Sequence, residues 1–198
     1  MSLDIREESM AALDEYARIP VSFLVERIRR VATAAQQSER SPVHEEVVER
    51  PYIKDYDSIP GNHPTDWMRR FNTTEWRLLT AHENGRRIGG AIVAPATPEL
   101  ASHTPTSEIA ILWDLRVRPE SRRTGVATAL FAAAERWAES KGCRELRVET
   151  QNVNVSACRL YERQGCRIES IDLNAYPDLP DEVRLIWSKP VGLGARAT

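Results

Sequence analysis

The chain has 198 residues, of which 41% are hydrophobic, so it can bury a core and does not have the composition of a disordered protein. Its formal net charge of -2 does not provide the basic face that nucleic acid requires, and no apolar run is long enough to span a membrane. Because the N-terminus also lacks a signal-peptide core, we expect a cytoplasmic protein that binds neither nucleic acid nor a membrane.

The three cysteines, Cys143, Cys158 and Cys166, are odd in number and form no Cys-x-x-Cys pair. Such a set predicts neither a disulfide framework nor a metal site. We expect reduced, chemically inert thiols that pack as small apolar side chains, and no bound metal.

The first 50 residues are predicted to form an N-terminal arm. Met10, Leu13 and Tyr16 fall at helical spacing and predict a short helix up to about Arg18, which Pro20 then ends. This arm is expected either to cover a sheet edge or to reach a neighbouring copy.

Residues 21–31 follow the short helix and are ambiguous. Alternation at Phe23 and Val25 favours a strand, whereas Ile28 and Val31 would also suit a helix. We predict a strand here and a second strand over residues 44–49.

Irregular chain and a hairpin are predicted for the middle of the sequence. Residues 51–64 contain three prolines and read as a loop, followed by a helix over 65–71 capped by Thr65. The dipeptide Asn84-Gly85 is a strong hairpin signal, so strands are predicted on either side of it, and a proline-rich surface loop comes after them. The predicted hairpin strands cover residues 76–82 and 87–93, and the loop covers 95–105.

The second half alternates strands and helices. Gly142 and Gly165 are placed to end the two helices. The order predicts a mixed α/β sheet in a single domain, residues 1–198, in which a right-handed crossover makes the first two of these strands parallel. The predicted strands cover 109–117, 146–150, 166–171 and 183–188, and the helices cover 126–140 and 155–164.

The turn before the first of these helices has the features of a pyrophosphate site. It reads Arg122-Arg123-Thr124-Gly125-Val126-Ala127. A glycine at a strand-to-helix turn lets backbone N–H groups approach an anion, and the helix N-terminus and two arginines add positive charge. Glycine turns before helices are common, so this turn alone is a weak signal.

Two further signals follow in the chain. Asn154 lies at a strand exit, where its amide can bind a ligand or simply cap the next helix. Tyr161 lies on that helix, where an aromatic side chain more often packs than reacts.

In combination, the three signals resemble the GNAT superfamily of acyl-CoA-dependent N-acetyltransferases. The matching residues are the turn 122–127, the strand 112–117 before it, and the segment with Asn154, Leu160-Tyr161 and Gly165. A P-loop kinase and a Rossmann protein are excluded, because neither Gly-x-x-x-x-Gly-Lys nor Gly-x-Gly-x-x-Gly occurs.

The resemblance implies a mixed central sheet with a splayed parallel strand pair, helices on both faces, and acetyl-CoA as the acyl donor. Backbone amides of the turn would bind the pyrophosphate, and the strand before it would pair with the pantetheine arm. The residues implied in cofactor binding are Leu115, Arg116, Val117, Arg122, Arg123, Thr124, Gly125, Val126, Ala127, Asn154 and Tyr161.

The same resemblance implies direct attack of a neutral amine on the thioester. A backbone N–H near Leu115 would stabilise the oxyanion, a contribution of about 3 kcal/mol in comparable sites. Tyr161 would act as the catalytic acid, since a tyrosine of pKa near ~10 can protonate a thiolate whose thiol has a pKa near ~8.5. Trp113 stands where a basic glutamate is often found, so the base stays open among Asp114, Glu108 and Glu149.

A closer similarity is to the streptothricin acetyltransferase branch. It is carried by residues 147–151, the helix with Tyr161, residues 171–173 with Tyr176, and the upstream segment 51–56. It implies a small cationic amine as acceptor, held by carboxylates and aromatic rings. The residues expected to line this pocket are Trp113, Asp114, Glu149, Asp172 and Tyr176, with Tyr56 and Asp57 as further candidates.

Two other functions stay open, a protein or peptide N-acetyltransferase and an acyl-CoA-binding sensor without turnover. The oligomeric state also stays open. Residues 183–188 are considered as an exposed sheet edge that could pair across a homodimer.

Overall fold

The structure is a computed structural model, and it describes residues 3–31, 43–97, 100, 107–179 and 181–192. The strands are β1 (Asp4–Glu8), β2 (Phe23–Val31), β3 (Val43–Lys54), β4 (Arg77–Glu83), β5 (Arg86–Pro95), β6 (Ile109–Val117), β7 (Glu145–Gln151), β8 (Arg167–Asp172) and β9 (Arg184–Pro190). The helices are α1 (Leu13–Tyr16), α2 (Pro64–Arg70), α3 (Val126–Ser140) and α4 (Val155–Arg163). Among these residues, no helix is long and apolar enough to cross a membrane.

The strands form a mixed sheet and a separate ribbon. One sheet has the order β1-β4-β5-β6-β7-β9-β8, and β2 pairs with β3 alone. Neighbours from β1 to β6 are antiparallel, whereas β6 and β7 run parallel. The predicted mixed α/β fold with one parallel pair across a helical crossover is therefore confirmed.

The chain divides into two compact units, which are described separately below. Unit 1 comprises Met1–Val21, Asp55–Val148 and Ser188–Thr198, and unit 2 comprises Ser22–Lys54 and Glu149–Trp187. The single domain expected from the sequence stays a prediction.

In unit 1, two adjacent glycines of β5 let helices approach both faces of the sheet. A Cβ atom on Gly89 would lie 3.0 Å from Val126 of α3, and one on Gly90 would lie 2.8 Å from the ring of Tyr16 in α1. Neighbouring residues of a strand point to opposite faces. Helices therefore cover both faces, as predicted.

The parallel ladder between β6 and β7 is short. It joins Ile109–Leu112 to Glu145–Val148, residue by residue. The register between β6 and β5 shifts beside Trp113, which makes Trp113 an extra, bulged residue of β6. From residue 114 to 117, β6 pairs with β5 in unit 1.

Arg116 carries a buried charge into the face of unit 1 on which α1 and α2 pack. Its guanidinium makes two hydrogen bonds to Asp57, at 2.6 and 2.8 Å, and one of 2.5 Å to Asp114. The hydroxyl of Tyr16 donates to the same oxygen of Asp114 at 2.8 Å, and the guanidinium lies over the rings of Tyr16 and Trp67. Burial opposes the charge, but the carboxylates outweigh it and raise the pKa of Arg116 above its usual value.

In unit 2, the β2–β3 ribbon encloses a small core of Val25, Ile28 and Val153. The ladder skips from the pair Val25–Tyr52 to the pair Arg27–Val47, so Pro51 lies in a bulge. A proline is tolerated at a bulge because it has no N–H to donate to a ladder. This explains why β3 continues to Lys54, although residues 51–64 were predicted to be irregular.

The N-terminus differs from the prediction. A helix was expected up to about Arg18, but Asp4–Glu8 forms β1, followed by a 3-10 turn at Met10–Ala12 and the single turn of α1. The helical spacing of Met10, Leu13 and Tyr16 was correct. The strand was missed because its mostly charged residues gain their stability from pairing with β4, which local sequence does not reveal.

Two further expectations were wrong. The cap of α2 is His63, whose ring accepts the backbone N–H of Thr65, because Pro64 occupies the first helical position. Residues 183–188 are not a sheet edge, because β9 lies between β7 and β8. Most of the loop predicted over 95–105 lies outside the described residues.

The hairpin and the capping glycines were predicted correctly. Asn84 and Gly85 both have positive φ, 50° and 77°, as the expected tight turn requires. Gly142 has φ 75° just after α3, and Gly165 has φ 82° just after α4.

We expect that the Arg116→Met substitution lowers the free energy of unfolding by about 3 kcal/mol or more, because it leaves Asp57 and Asp114 as uncompensated, largely buried charges. Chemical denaturation measures this change. The matched control is Arg86→Met, since Arg86 is 63% exposed and pairs with an exposed glutamate, Glu120. Equal, small effects of both substitutions would contradict the structural importance of the Arg116 cluster.

Candidate active site

The turn between β6 and α3 presents a row of backbone N–H groups. Arg123 and Gly125 adopt left-handed conformations, with φ 63° and 93°. Among the described residues, the turn and loop hydrogen bonds of the backbone include none donated by the N–H groups of residues 123 to 127, and no side chain caps α3. Successive N–H groups in such a turn form a concave anion site, which the helix N-terminus strengthens.

The turn is held in place by its own polar groups. The hydroxyl of Thr124 donates to the carbonyl of Ser121 at 2.8 Å, and Nε of Arg122 donates to the carbonyl of Val117 at 3.1 Å. Partial burial lowers the pKa of Arg122. Arg122 therefore ties the turn to the end of β6, and Arg123 is exposed. The residues present fit a diphosphate, which takes up several converging N–H donors.

The predicted cofactor residues of β6 divide into backbone and side-chain roles. The side chain of Arg116 is 2% exposed and fully engaged by the two aspartates, so it could contact a cofactor through its backbone alone. Leu115 and Val117 flank it on the part of β6 that pairs with β5 in unit 1. An extended ligand can add to a strand through backbone hydrogen bonds.

The two predicted acceptor residues of unit 1 lie side by side on the bulge of β6. Trp113 packs in an aromatic cluster, with ring centroids 6.0 Å from Trp67, 5.2 Å from Phe71 and 5.3 Å from Trp76. Asp114 is held by Tyr16 and Arg116 through one oxygen, Oδ2. Its role as a base stays a prediction, alongside those of Glu108 and Glu149.

Tyr161 and Asn154 belong to unit 2, on α4 and at its start. Tyr161 is buried, and its ring centroid lies 6.1 Å from that of Trp187. The side-chain oxygen of Asn154 accepts the backbone N–H of Ala157 at 3.1 Å, so the helix-cap alternative for Asn154 holds. Their predicted contacts with the thioester and the pantetheine stay predictions.

The structure brings together three of the predicted acceptor residues in unit 2. Tyr176 donates to Glu149 at 2.9 Å and accepts a hydrogen bond from Gln151 at 2.5 Å. Burial and the nearby Glu149 raise the pKa of Tyr176. Asp172 pairs with Arg184 at 2.7 Å, and Arg184 also acts electrostatically on Tyr176. A mixed carboxylate and phenol surface of this kind can bind a cationic amine.

Asn152 is an organising residue that the sequence did not single out. It is 1% exposed and exchanges backbone and side-chain hydrogen bonds with Arg29 and Val183. It lies two residues before Asn154, and no local pattern distinguishes a buried asparagine from a capping one.

All three cysteines are free and buried. Burial raises the pKa of Cys158 to about 12, which is consistent with the predicted unreactive thiols. Within the described ranges, no group of three or more histidine, cysteine, aspartate or glutamate residues could hold a metal ion.

Comparisons with known proteins identify similar acetyltransferases. Streptothricin acetyltransferase A of Bacillus subtilis (strain 168) is 34% identical over 80 residues, or 39% of this chain and 46% of that protein. Streptothricin acetyltransferase of Escherichia coli is 34% identical over 108 residues, or 53% of this chain and 62% of that protein. The chain thus matches only about half to three fifths of the length of these relatives.

A solved structure matches over nearly the whole chain. It is a candidate streptothricin acetyltransferase from Bacillus anthracis str. Ames in complex with acetyl coenzyme A, with 27% identity, a TM-score of 0.73, and coverage of 96% of this chain and 99% of that one. The profile described as the acetyltransferase (GNAT) family matches residues 43–166, more than half of the chain. The resemblance found in the sequence is therefore confirmed, and this protein belongs to the GNAT acetyltransferase family.

Proposed function

We propose that this protein is an acetyl-CoA-dependent N-acetyltransferase that acts on a primary amine of a small cationic molecule. The observation that carries the proposal is the turn 123–127, where two residues of left-handed conformation precede the uncapped start of α3. Family membership and the acetyl coenzyme A complex of the Bacillus anthracis protein support the same donor.

In the proposed reaction, the chain positions the donor by its backbone. The N–H groups of residues 123 to 127 hold the diphosphate, and the backbone of β6 from residue 114 to 117 pairs with the pantetheine arm. When bound, acetyl-CoA supplies a thioester carbonyl that a neutral amine can attack. A backbone N–H near Leu115 then stabilises the negative charge that develops on the carbonyl oxygen.

Side chains carry out the two proton transfers of the proposed reaction, to the departing sulfur and from the attacking amine. The Tyr161 hydroxyl donates a proton to the departing sulfur. Because a phenol of pKa ~10 is a weaker acid than a thiol of pKa ~8.5, this transfer is uphill by about 2 kcal/mol, a small cost for a positioned acid. The proton of the attacking amine passes to Asp114, Glu149 or Glu108, directly or through water. Tyr16 and Arg116 hold Asp114 in a fixed orientation, and the base stays open among the three carboxylates.

The acceptor class follows from charge. Glu149, Asp172 and Tyr176 offer anionic and aromatic groups within unit 2. A β-lysine amine of a streptothricin-like antibiotic fits such groups, as does another small polyamine. We place the reaction in the cytoplasm, consistent with three free cysteines, and keep a homodimer as part of the proposal.

The test of the function is a thiol-release assay with acetyl-CoA over a panel of small cationic amines and peptides. We expect release with small amines that carry a primary amino group beside further positive charge. Release with peptides alone would favour a protein acetyltransferase. Binding of acetyl-CoA without release over the whole panel would favour a sensor and contradict the proposal.

We expect that Gly125→Ala weakens the binding of coenzyme A by about tenfold, because a Cβ atom disfavours the left-handed backbone that aims the N–H groups. Isothermal titration calorimetry measures the affinity. Gly142→Ala is a matched control, since both glycines have positive φ and an added Cβ meets no atom within 4 Å at either site. If both variants bound coenzyme A as the unaltered protein does, the turn would not be the cofactor site.

We expect that Tyr161→Phe lowers kcat by about 100-fold, the effect of removing a positioned acid, while the affinity for coenzyme A stays the same. Steady-state kinetics and calorimetry measure the two quantities. Tyr52→Phe serves as the control, because Tyr52 is 42% exposed on β3 and has no part in the proposed reaction. Unchanged kcat in the Tyr161 variant would remove this residue from the mechanism.

A further inference from the structure

We infer that Arg29 of β2 is a positioning residue for Tyr161, acting through Glu162 and Trp187. The inference rests on the proposed function, because it concerns the side chain that delivers the proton. All four residues belong to unit 2. Neither the family resemblance nor the local sequence around residue 29 assigns Arg29 a role.

Arg29 forms an ion pair with the helix that carries Tyr161. Its two terminal nitrogens donate to the two carboxylate oxygens of Glu162, at 2.5 and 2.7 Å. Glu162 is the residue immediately after Tyr161 on α4. A bidentate arginine–carboxylate pair fixes both distance and direction, so this contact restrains the rotation and the tilt of the helix.

Arg29 also lies over the ring that packs against Tyr161. Its guanidinium carbon is 6.0 Å from the centroid of Trp187, within the range of a cation–π contact. Trp187 is 1% exposed, and its ring lies 6.1 Å from that of Tyr161. The arginine therefore acts on Tyr161 by two routes, through the backbone of α4 and through the aromatic ring of Trp187.

The arginine is itself firmly anchored. Its side chain is 7% exposed, and Glu45, its cross-strand partner on β3, lies 3.7 Å from the guanidinium. Its backbone N–H donates to the carbonyl of Asn152 at 2.9 Å, and its carbonyl accepts the Asn152 amide at 3.1 Å. Hydrogen bonding from Arg29 lowers the pKa of Glu162, so the pair is ionised at neutral pH.

A buried guanidinium needs a carboxylate partner for stability, and the bidentate contact to Glu162 also fixes a direction. Glu162 is 47% exposed and could be solvated by water, and Glu45 keeps a second partner in Arg159. The buried charge of Arg29 is held between α4 and the indole ring of Trp187. This arrangement restrains the direction of the Tyr161 side chain. A displacement of about 1 Å at a reacting group can cost up to 100-fold in rate.

The experiment is a double-substitution cycle in the full chain, with acetyl-CoA and the best acceptor of the amine panel. Arg29→Met is expected to lower kcat by about tenfold, with unchanged affinity for coenzyme A, because the diphosphate turn lies in unit 1. In a Tyr161→Phe background, the same substitution is expected to change kcat less than about twofold, because no acid is left to position. A merely structural role would give the same loss in both backgrounds.

Two conservative variants keep the test decisive if Arg29→Met folds poorly, as judged by circular dichroism. Arg29→Lys keeps the charge but loses the bidentate contact, and Glu162→Gln keeps the shape of the partner but loses its charge. Both are expected to lower kcat in the presence of Tyr161 and not in its absence. Arg30→Met is the matched control, because Arg30 is 44% exposed and pairs with Glu46 on the surface of the same ribbon.

The outcomes separate this inference from the proposed function. If the unaltered protein releases no thiol with any amine, both fail. If it releases thiol and folded Arg29 variants keep its kcat, or lose the same factor with and without Tyr161, this inference alone is overturned.

Discussion

The interior of unit 1 is organised around a charge that cannot reach water. An arginine buried beside aromatic rings is costly to desolvate, so every donor of Arg116 must find an acceptor. Two aspartates and the carbonyl of Ile19 meet that need, and Tyr16 fills the remaining position on Asp114. The helices and the short turn at Tyr56–Ser58 must therefore lie where these groups converge. The same requirement fixes the orientation of Asp114.

Periodicity and turn chemistry revealed much of the fold. β6 and α3 have the predicted bounds because a continuous apolar run and a helical stripe are dictated by burial alone. The hairpin followed from Asn84-Gly85, whose backbone angles few other residues adopt. The missed elements depend on distant partners: β1 has no apolar face of its own, and β3 passes Pro51 because its partner strand accommodates a bulge there.

The parts of the candidate site that are formed by residues adjacent in the chain could be predicted from the sequence. The parts that depend on contacts between distant residues could not. The turn proposed to bind the diphosphate was recognisable because one glycine, a following helix and backbone amides lie within six residues. The ties of Arg116 to Asp57 and Asp114 and of Arg29 to Glu162 join residues as far as 133 positions apart, so no spacing could reveal them. Arg116 was thus expected to serve the cofactor, and its side chain turns out to belong to the buried charge cluster.

The first strand has a consequence for how this protein behaves when shortened. β4 is buried along nearly its whole length and rich in apolar residues, and β1 covers its free side with a row dominated by acids. An edge strand with charged side chains discourages edge-to-edge pairing of the sheets of two molecules. Trimming the chain beyond Glu8 would expose Leu78, Leu79 and their backbone donors and acceptors as an open template. Self-association and precipitation are the expected penalties, long before any loss of enzymatic chemistry.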